Sequence, residues 1–153
     1  MTARSAVHDT FVIERVYDAQ PERVFSAWAD PAAKRRWFGS AEEHELDFKV
    51  GGAERLRATM EGGTVYTYDA RYQDIVVGER IVYSYDMHRD ADRISVSLST
   101  VELVPAEGGT LLRYTEQGVF LDGHDTAAQR EHGTRELLEA LAGELAGEPS
   151  PRS

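Results

Sequence analysis

The stretch Leu112-Arg113-Tyr114-Thr115-Glu116-Gln117-Gly118 carries the sharpest chemical anomaly of the chain. Side chains on a strand alternate between its faces, so Leu112, Tyr114 and Glu116 share one face. Two of the three are large and apolar, which makes that face the buried one and places a carboxylate on it. A carboxylate out of water is costly unless it is partnered or lines a hydrated cavity. A partner is available in Arg130, on the apolar side of the helix that follows, and its planar fork suits a carboxylate. Two roles remain open for the pair. It contacts a ligand, with Glu116 a weak candidate for acid or base in a proton transfer. Otherwise it is a structural ion pair, which imitates a site.

Tyrosines supply the next candidates. Tyr66 and Tyr68 share a face, as do Tyr83 and Tyr85, the latter in line with Ile81 and Met87. Turned inward, they give a pocket flat apolar walls with hydroxyl handles; on either face they are ordinary strand residues. Trp37-Phe38 either caps the mouth of such a pocket or packs helix against sheet. The expected ligand-binding set is Trp37, Tyr66, Tyr68, Tyr83, Tyr85, Tyr114, Glu116, Arg130 and Thr134. Between residues 93 and 104 the parity is ambiguous. Either a bulge switches the faces, or Ser95, Ser97 and Ser99 point inward as a polar wall.

Other chemistries find little support. Asp122-Gly123-His124-Asp125 contains metal-type residues but sits between strand and helix, where they serve turns and caps. No His-Glu-x-x-His spacing is present, so no metal and no cofactor are expected. His132 beside Glu131 belongs to a solvated helix edge. Phosphate-binding glycine loops and the Gly-x-Ser-x-Gly nucleophile elbow are lacking.

The composition narrows the partners. A net charge of −10 over 153 residues argues against nucleic acid and against an anionic membrane surface. There are no cysteines, hence no disulfide, thiolate nucleophile or thiolate zinc site. Met1 to Thr10 lacks the apolar stretch of a signal peptide and no apolar run reaches membrane length, so the expected location is the cytoplasm.

The elements that must position these residues follow from periodicity. Phe11 to Tyr17 reads as a first strand. Pro21 opens a short helix bearing Val24, Phe25 and Trp28, and Asp30-Pro31 opens a second that ends near Gly39. Glycine-rich turns then separate six strand-like runs, near 44–49, 54–60, 65–76, 80–88, 93–104 and 110–120, an antiparallel meander. Thr126 with Gln129 resembles a capping box. The helix from there to about Leu145 gathers Arg130, Thr134, Leu137, Leu138, Leu141 and Leu145 on one side with Ala127. A single α+β domain over 8–146 is expected, a curved antiparallel sheet of about seven strands wrapped around the long C-terminal helix. Residues 147–153 are expected to form a flexible tail.

This pattern resembles the helix-grip superfamily of START and birch-pollen-allergen-like proteins (SRPBCC). Within it the chain is most similar to the activator-of-heat-shock-protein-90-ATPase-homologue-like group, often placed beside polyketide cyclases. The matching pieces are Arg15, Ala19 to Phe25, Trp28-Ala29-Asp30-Pro31 with Trp37, Gly51-Gly52, Tyr72 to Ile75, Glu79 to Tyr83, Gly109 to Leu112, Thr115 to Gly118, and Leu137, Leu141 and Leu145. Many members carry tryptophan early in the last helix, where this chain has Gly133-Thr134 and so a more open pocket end. The resemblance implies a cavity between sheet and long helix that holds a hydrophobic or aromatic small molecule. It supplies no shared catalytic residues. The expected function is therefore ligand binding. Its rivals are a cyclase- or dehydratase-like enzyme using Glu116, and a protein-interaction module whose partner is a chaperone or a second copy of the chain.

Overall fold

The structure is a computed structural model, and it describes residues 4–39 and 41–147. Strand β1 (Ala6–Tyr17) leads into helices α1 (Pro21–Ala29) and α2 (Pro31–Trp37). Strands β2 (Glu43–Leu46), β3 (Ala53–Thr59), β4 (Val65–Val76), β5 (Arg80–Arg89), β6 (Asp92–Ala106) and β7 (Gly109–Leu121) follow, and α3 (Ala127–Leu145) closes the chain. The seven strands form one sheet in the order β1-β7-β6-β5-β4-β3-β2, every pair antiparallel. From β3 onward each strand pairs with its predecessor through a short turn. The two short helices carry the chain from one sheet edge to the other, which leaves β1 to pair with β7. Such a sheet twists and curls, and the helices cover its inner face.

Local chemistry explains the boundaries. Proline opens both α1 and α2, where its missing N–H costs nothing, and the Asp30 carboxylate caps α2 by accepting from the Ala33 N–H. Thr126 caps α3 by accepting from the Gln129 N–H at 3.1 Å. On α3, Arg130, Thr134, Leu138, Leu141 and Leu145 are buried. Each buried leucine contributes about 1.5–3 kcal/mol, so the C-terminal half anchors the helix. It packs against β1, α1 and α2.

Two strand boundaries differ from expectation. β1 begins at Ala6 rather than Phe11; its first five residues are exposed and show no alternation, but they pair with the long β7 from Leu121 back to Gln117. β2 ends at Leu46 rather than near 49. There the Gly51 N–H bonds the Tyr72 carbonyl, and a Cβ on Gly52 would lie 2.1 Å from the Asp47 carbonyl oxygen. This tight return spends as a turn the residues expected to extend the strand. In β6 the register shifts opposite Met87/His88, and from Ser95 onward the odd residues face inward. Ser95, Ser97, Ser99, Val101 and Leu103 are buried, while Val96 and Leu98 are exposed. The only irregularity is at Ile94-Ser95, both buried; from Ser95 to Glu102 the register is unbroken, so the serines point inward and no bulge switches the faces between Leu98 and Val101. Apart from Gly147, the expected tail lies outside the described residues. Among the described residues no helix is long and apolar enough to cross a membrane.

Candidate functional site

Where α3 leans on β1 and the short helices, its leucines fill the gap to the sheet. Toward its N-terminus the inward positions hold Arg130, Gly133 and Thr134, and the gap stays open. The result is a cavity of about 360 Å³. Tyr83, Tyr85 and Tyr114 from β5 and β7 make one wall, with Tyr66 and Tyr68 from β4 beside them. Trp28, Trp37 and Phe38 close the end near α1 and α2, and Met60 and Met87 add flexible thioether surface. A volume in this range with aromatic lining is characteristic of small-molecule pockets.

The tyrosine walls are braced from behind. Glu116 is fully buried and does not line the cavity. Its Oε1 accepts from the Tyr114 hydroxyl at 2.7 Å, and its Oε2 from the Tyr85 hydroxyl at 2.7 Å and from Arg130 Nη1 at 3.4 Å. Arg130 also donates to Tyr85, Ser95 and Asp125, each at 2.8 Å, and its guanidinium lies over the Tyr85 and Phe120 rings. Burial opposes the charge on Arg130, but Tyr85, Glu116 and Asp125 outweigh it and hold the pKa above arginine's ordinary value. Burial pushes the hydroxyls of Tyr68, Tyr85 and Tyr114 well above the usual phenol value, so they are donors throughout the neutral range. One guanidinium faces two carboxylates here, so the positive charge is already matched.

Eight of the nine expected ligand-binding residues line this one cavity: Trp37, Tyr66, Tyr68, Tyr83, Tyr85, Tyr114, Arg130 and Thr134. Glu116 stands one layer behind them. His132 is exposed beside Glu136, and His124 faces the Arg89 guanidinium rather than the cavity. Among the described residues no group of His, Cys, Asp and Glu is arranged to hold a metal ion.

A second polar cluster escapes sequence reasoning. Lys34 is fully buried, and its ammonium donates to Glu54 Oε1 at 2.7 Å and to the Tyr72 hydroxyl oxygen at 3.3 Å. Glu54 is also fully buried; it accepts from the Tyr72 hydroxyl at 2.8 Å and pairs with His44 Nε2 at 2.7 Å. Burial alone would raise the Glu54 pKa, but Lys34, His44 and Tyr72 together bring it below the ordinary carboxylate value. For Lys34, burial outweighs Glu54 and lowers the pKa. The ammonium sits 4.2 Å from the centre of the Phe38 ring and 5.2 Å from that of Trp28. The Lys34–Glu54 pair, like Glu116, therefore stands behind the aromatic wall, while Arg130 reaches the cavity itself. A signal was present: on β3, Glu54 shares a face with Leu56 just as Glu116 does with Tyr114.

A curved antiparallel sheet gripping a terminal helix, with an aromatic cavity between them, defines the helix-grip class. A family model described as activator of Hsp90 ATPase homolog 1-like protein matches residues 18–146, and the chain belongs to that family. Comparison with curated proteins finds no match. Among solved structures the chain is similar to an uncharacterised protein from Rhizobium leguminosarum, with 45% identity, a TM-score of 0.93, and coverage of 96% of this chain and 100% of that one. It is also similar to the Mll3558 protein of Rhizobium loti, with 53% identity, a TM-score of 0.88, and coverage of 92% and 99%. CalU16 from Micromonospora echinospora shares the fold, with a TM-score of 0.66 at 19% identity over 96% of this chain and 87% of that one.

Proposed function

We propose that this protein binds a hydrophobic or aromatic small molecule in the cavity between the sheet and α3. The observation that carries the reading is the 360 Å³ cavity itself, walled by tyrosine, tryptophan and phenylalanine. Aromatic walls gain affinity by burying flat apolar surface and by stacking, and rings braced by buried ion pairs lose little freedom on binding. Native mass spectrometry of protein purified from its own host tests this. The expected result is a retained small molecule that denaturation releases. No retained molecule, together with no response to any aromatic probe, would contradict it.

The arrangement favours a positioning role for Glu116 over direct acid–base chemistry. Both of its oxygens are occupied by Tyr85, Tyr114 and Arg130, and a general base must reach the proton it abstracts. Glu116→Gln should therefore weaken retention of a ligand by loosening those three groups. Turnover of aromatic ketones that depended on the Glu116 carboxylate would contradict the positioning role.

A further inference from the structure

Several polar groups on the cavity wall are bonded to other protein groups. The Tyr85 and Tyr114 hydroxyls serve Glu116, the Thr134 hydroxyl donates to the Arg130 carbonyl at 2.9 Å, and the Trp37 indole N–H donates to the Ala27 carbonyl at 2.9 Å. Two wall residues carry a fully buried polar atom that has no such bond. The Tyr68 hydroxyl and the Trp28 indole Nε1 have no hydrogen-bond partner, although Tyr68 is 7% exposed and Trp28 2% exposed. An unpaired buried donor forfeits its hydration without recompense, so native interiors rarely tolerate one. Both residues flank Phe38, with ring centres 5.5 Å from Tyr68 and 6.5 Å from Trp28.

We propose that this cavity selects a neutral aromatic ligand bearing a hydrogen-bond acceptor such as a ketone carbonyl, and that the Tyr68 hydroxyl donates to that acceptor. This rests on the reading of the cavity as a ligand pocket. Three observations converge on it. First, the unpaired donor is a phenol held protonated by burial, able to give a hydrogen bond but unable to act as an anion. Second, the Arg130 guanidinium, the one cation on the wall, is committed to Glu116 and Asp125, and Tyr85 accepts from it as well. With two carboxylates around one guanidinium, an anionic ligand meets net negative charge. Third, Tyr68 packs against Phe38 and against Tyr85, whose ring centre lies 4.8 Å away, so a ligand seated on this wall presses on the Tyr68 ring. The hydroxyl is itself buried, so donation requires the Tyr68 ring to turn toward the ligand. The Trp28 N–H is the second donor on the same side.

Three probes of one shape separate the terms: 2-acetonaphthone with a carbonyl, 2-ethylnaphthalene without one, and 2-naphthoate with a charge. Binding is read from the fluorescence of Trp28 and Trp37, the only two tryptophans of the chain, both on the wall. In the wild type the ketone should bind about tenfold more tightly than the hydrocarbon, the worth of one well-made hydrogen bond, and the carboxylate most weakly. In Tyr68→Phe the ketone should fall to the level of the hydrocarbon, whose own affinity stays unchanged. The variant's Tm should equal or exceed that of the wild type, because the lost hydroxyl bonded nothing in the free protein. Equal affinities of ketone and hydrocarbon in the wild type would overturn this inference and leave the pocket reading standing. So would a preference for the ketone that survives Tyr68→Phe, a carboxylate that binds most tightly, or a Tm that falls on losing the hydroxyl. Failure of all three probes to bind would overturn the pocket reading and this inference with it.

Discussion

Two buried carboxylates, Glu54 and Glu116, govern the site from behind its walls. Each is fully buried, and each holds a cation and at least one tyrosine. Glu116→Gln keeps the shape but leaves Arg130 short of charge, so stability should fall by about 2–3 kcal/mol in urea unfolding. Lys34→Met leaves the Glu54 charge uncompensated in the interior, and a loss of about 3–5 kcal/mol is expected. Replacing both groups, Lys34→Met with Glu54→Leu, should cost less than Lys34→Met alone, because no stranded charge remains. The same carboxylate sets an acid limit. Its folded-state pKa lies below the ordinary 4.5, so the folded protein binds this proton less readily than the unfolded chain. The stabilisation is present in full above the unfolded value and is lost as pH falls through the folded one. Urea midpoints measured from about pH 6 down to about pH 3 should therefore fall more steeply for wild type than for Glu54→Gln. Glu116 was legible from strand alternation alone, because Leu112 and Tyr114 mark its face. Lys34 was not: its partners lie 20 and 38 residues away, and only the fold brings them together.

At the level of elements, α3 divides its labour along its length. Leu138, Leu141 and Leu145 hold it down, while Arg130, Gly133 and Thr134 leave the cavity open. The helical period marks this division plainly, since the inward side changes from leucine to arginine and threonine. Gly143 is an exposed interior helix position where a Cβ meets nothing within 4 Å. Gly143→Ala should raise stability by about 0.5–1 kcal/mol, readable as a higher urea midpoint, without touching the cavity. Gly133 also has open space at its Cβ, but on the cavity side. Gly133→Trp should fill that space and abolish binding of 2-acetonaphthone while the far-ultraviolet circular dichroism stays native. The serine-lined half of β6 was harder to read. Valine and serine alternate there on opposite faces, and only the placement of polar side chains against Tyr114 and Arg130 decides which face turns inward. The end of β2 depended likewise on a turn whose tightness appears only once Gly51 meets Tyr72.

For the molecule as a whole, the curved sheet and the three helices followed from the periods of the sequence and from its turn residues. The cavity did not, because a cavity is the difference between two packed surfaces and no single segment encodes it. Its position also separates ligand binding from action through an outer surface. The outer sheet face exposes Val12 on β1 and Val96 and Leu98 on β6, on the side of the sheet opposite the tyrosine side chains. Backbone amide chemical shifts recorded while 2-acetonaphthone is added test the central claim most directly. The shifts should move at Gly39, Leu56, Ala58 and Gly133, all of which line the cavity. Shifts confined to Val12, Val96, Leu98 and their neighbours, with the cavity residues unmoved, would contradict it.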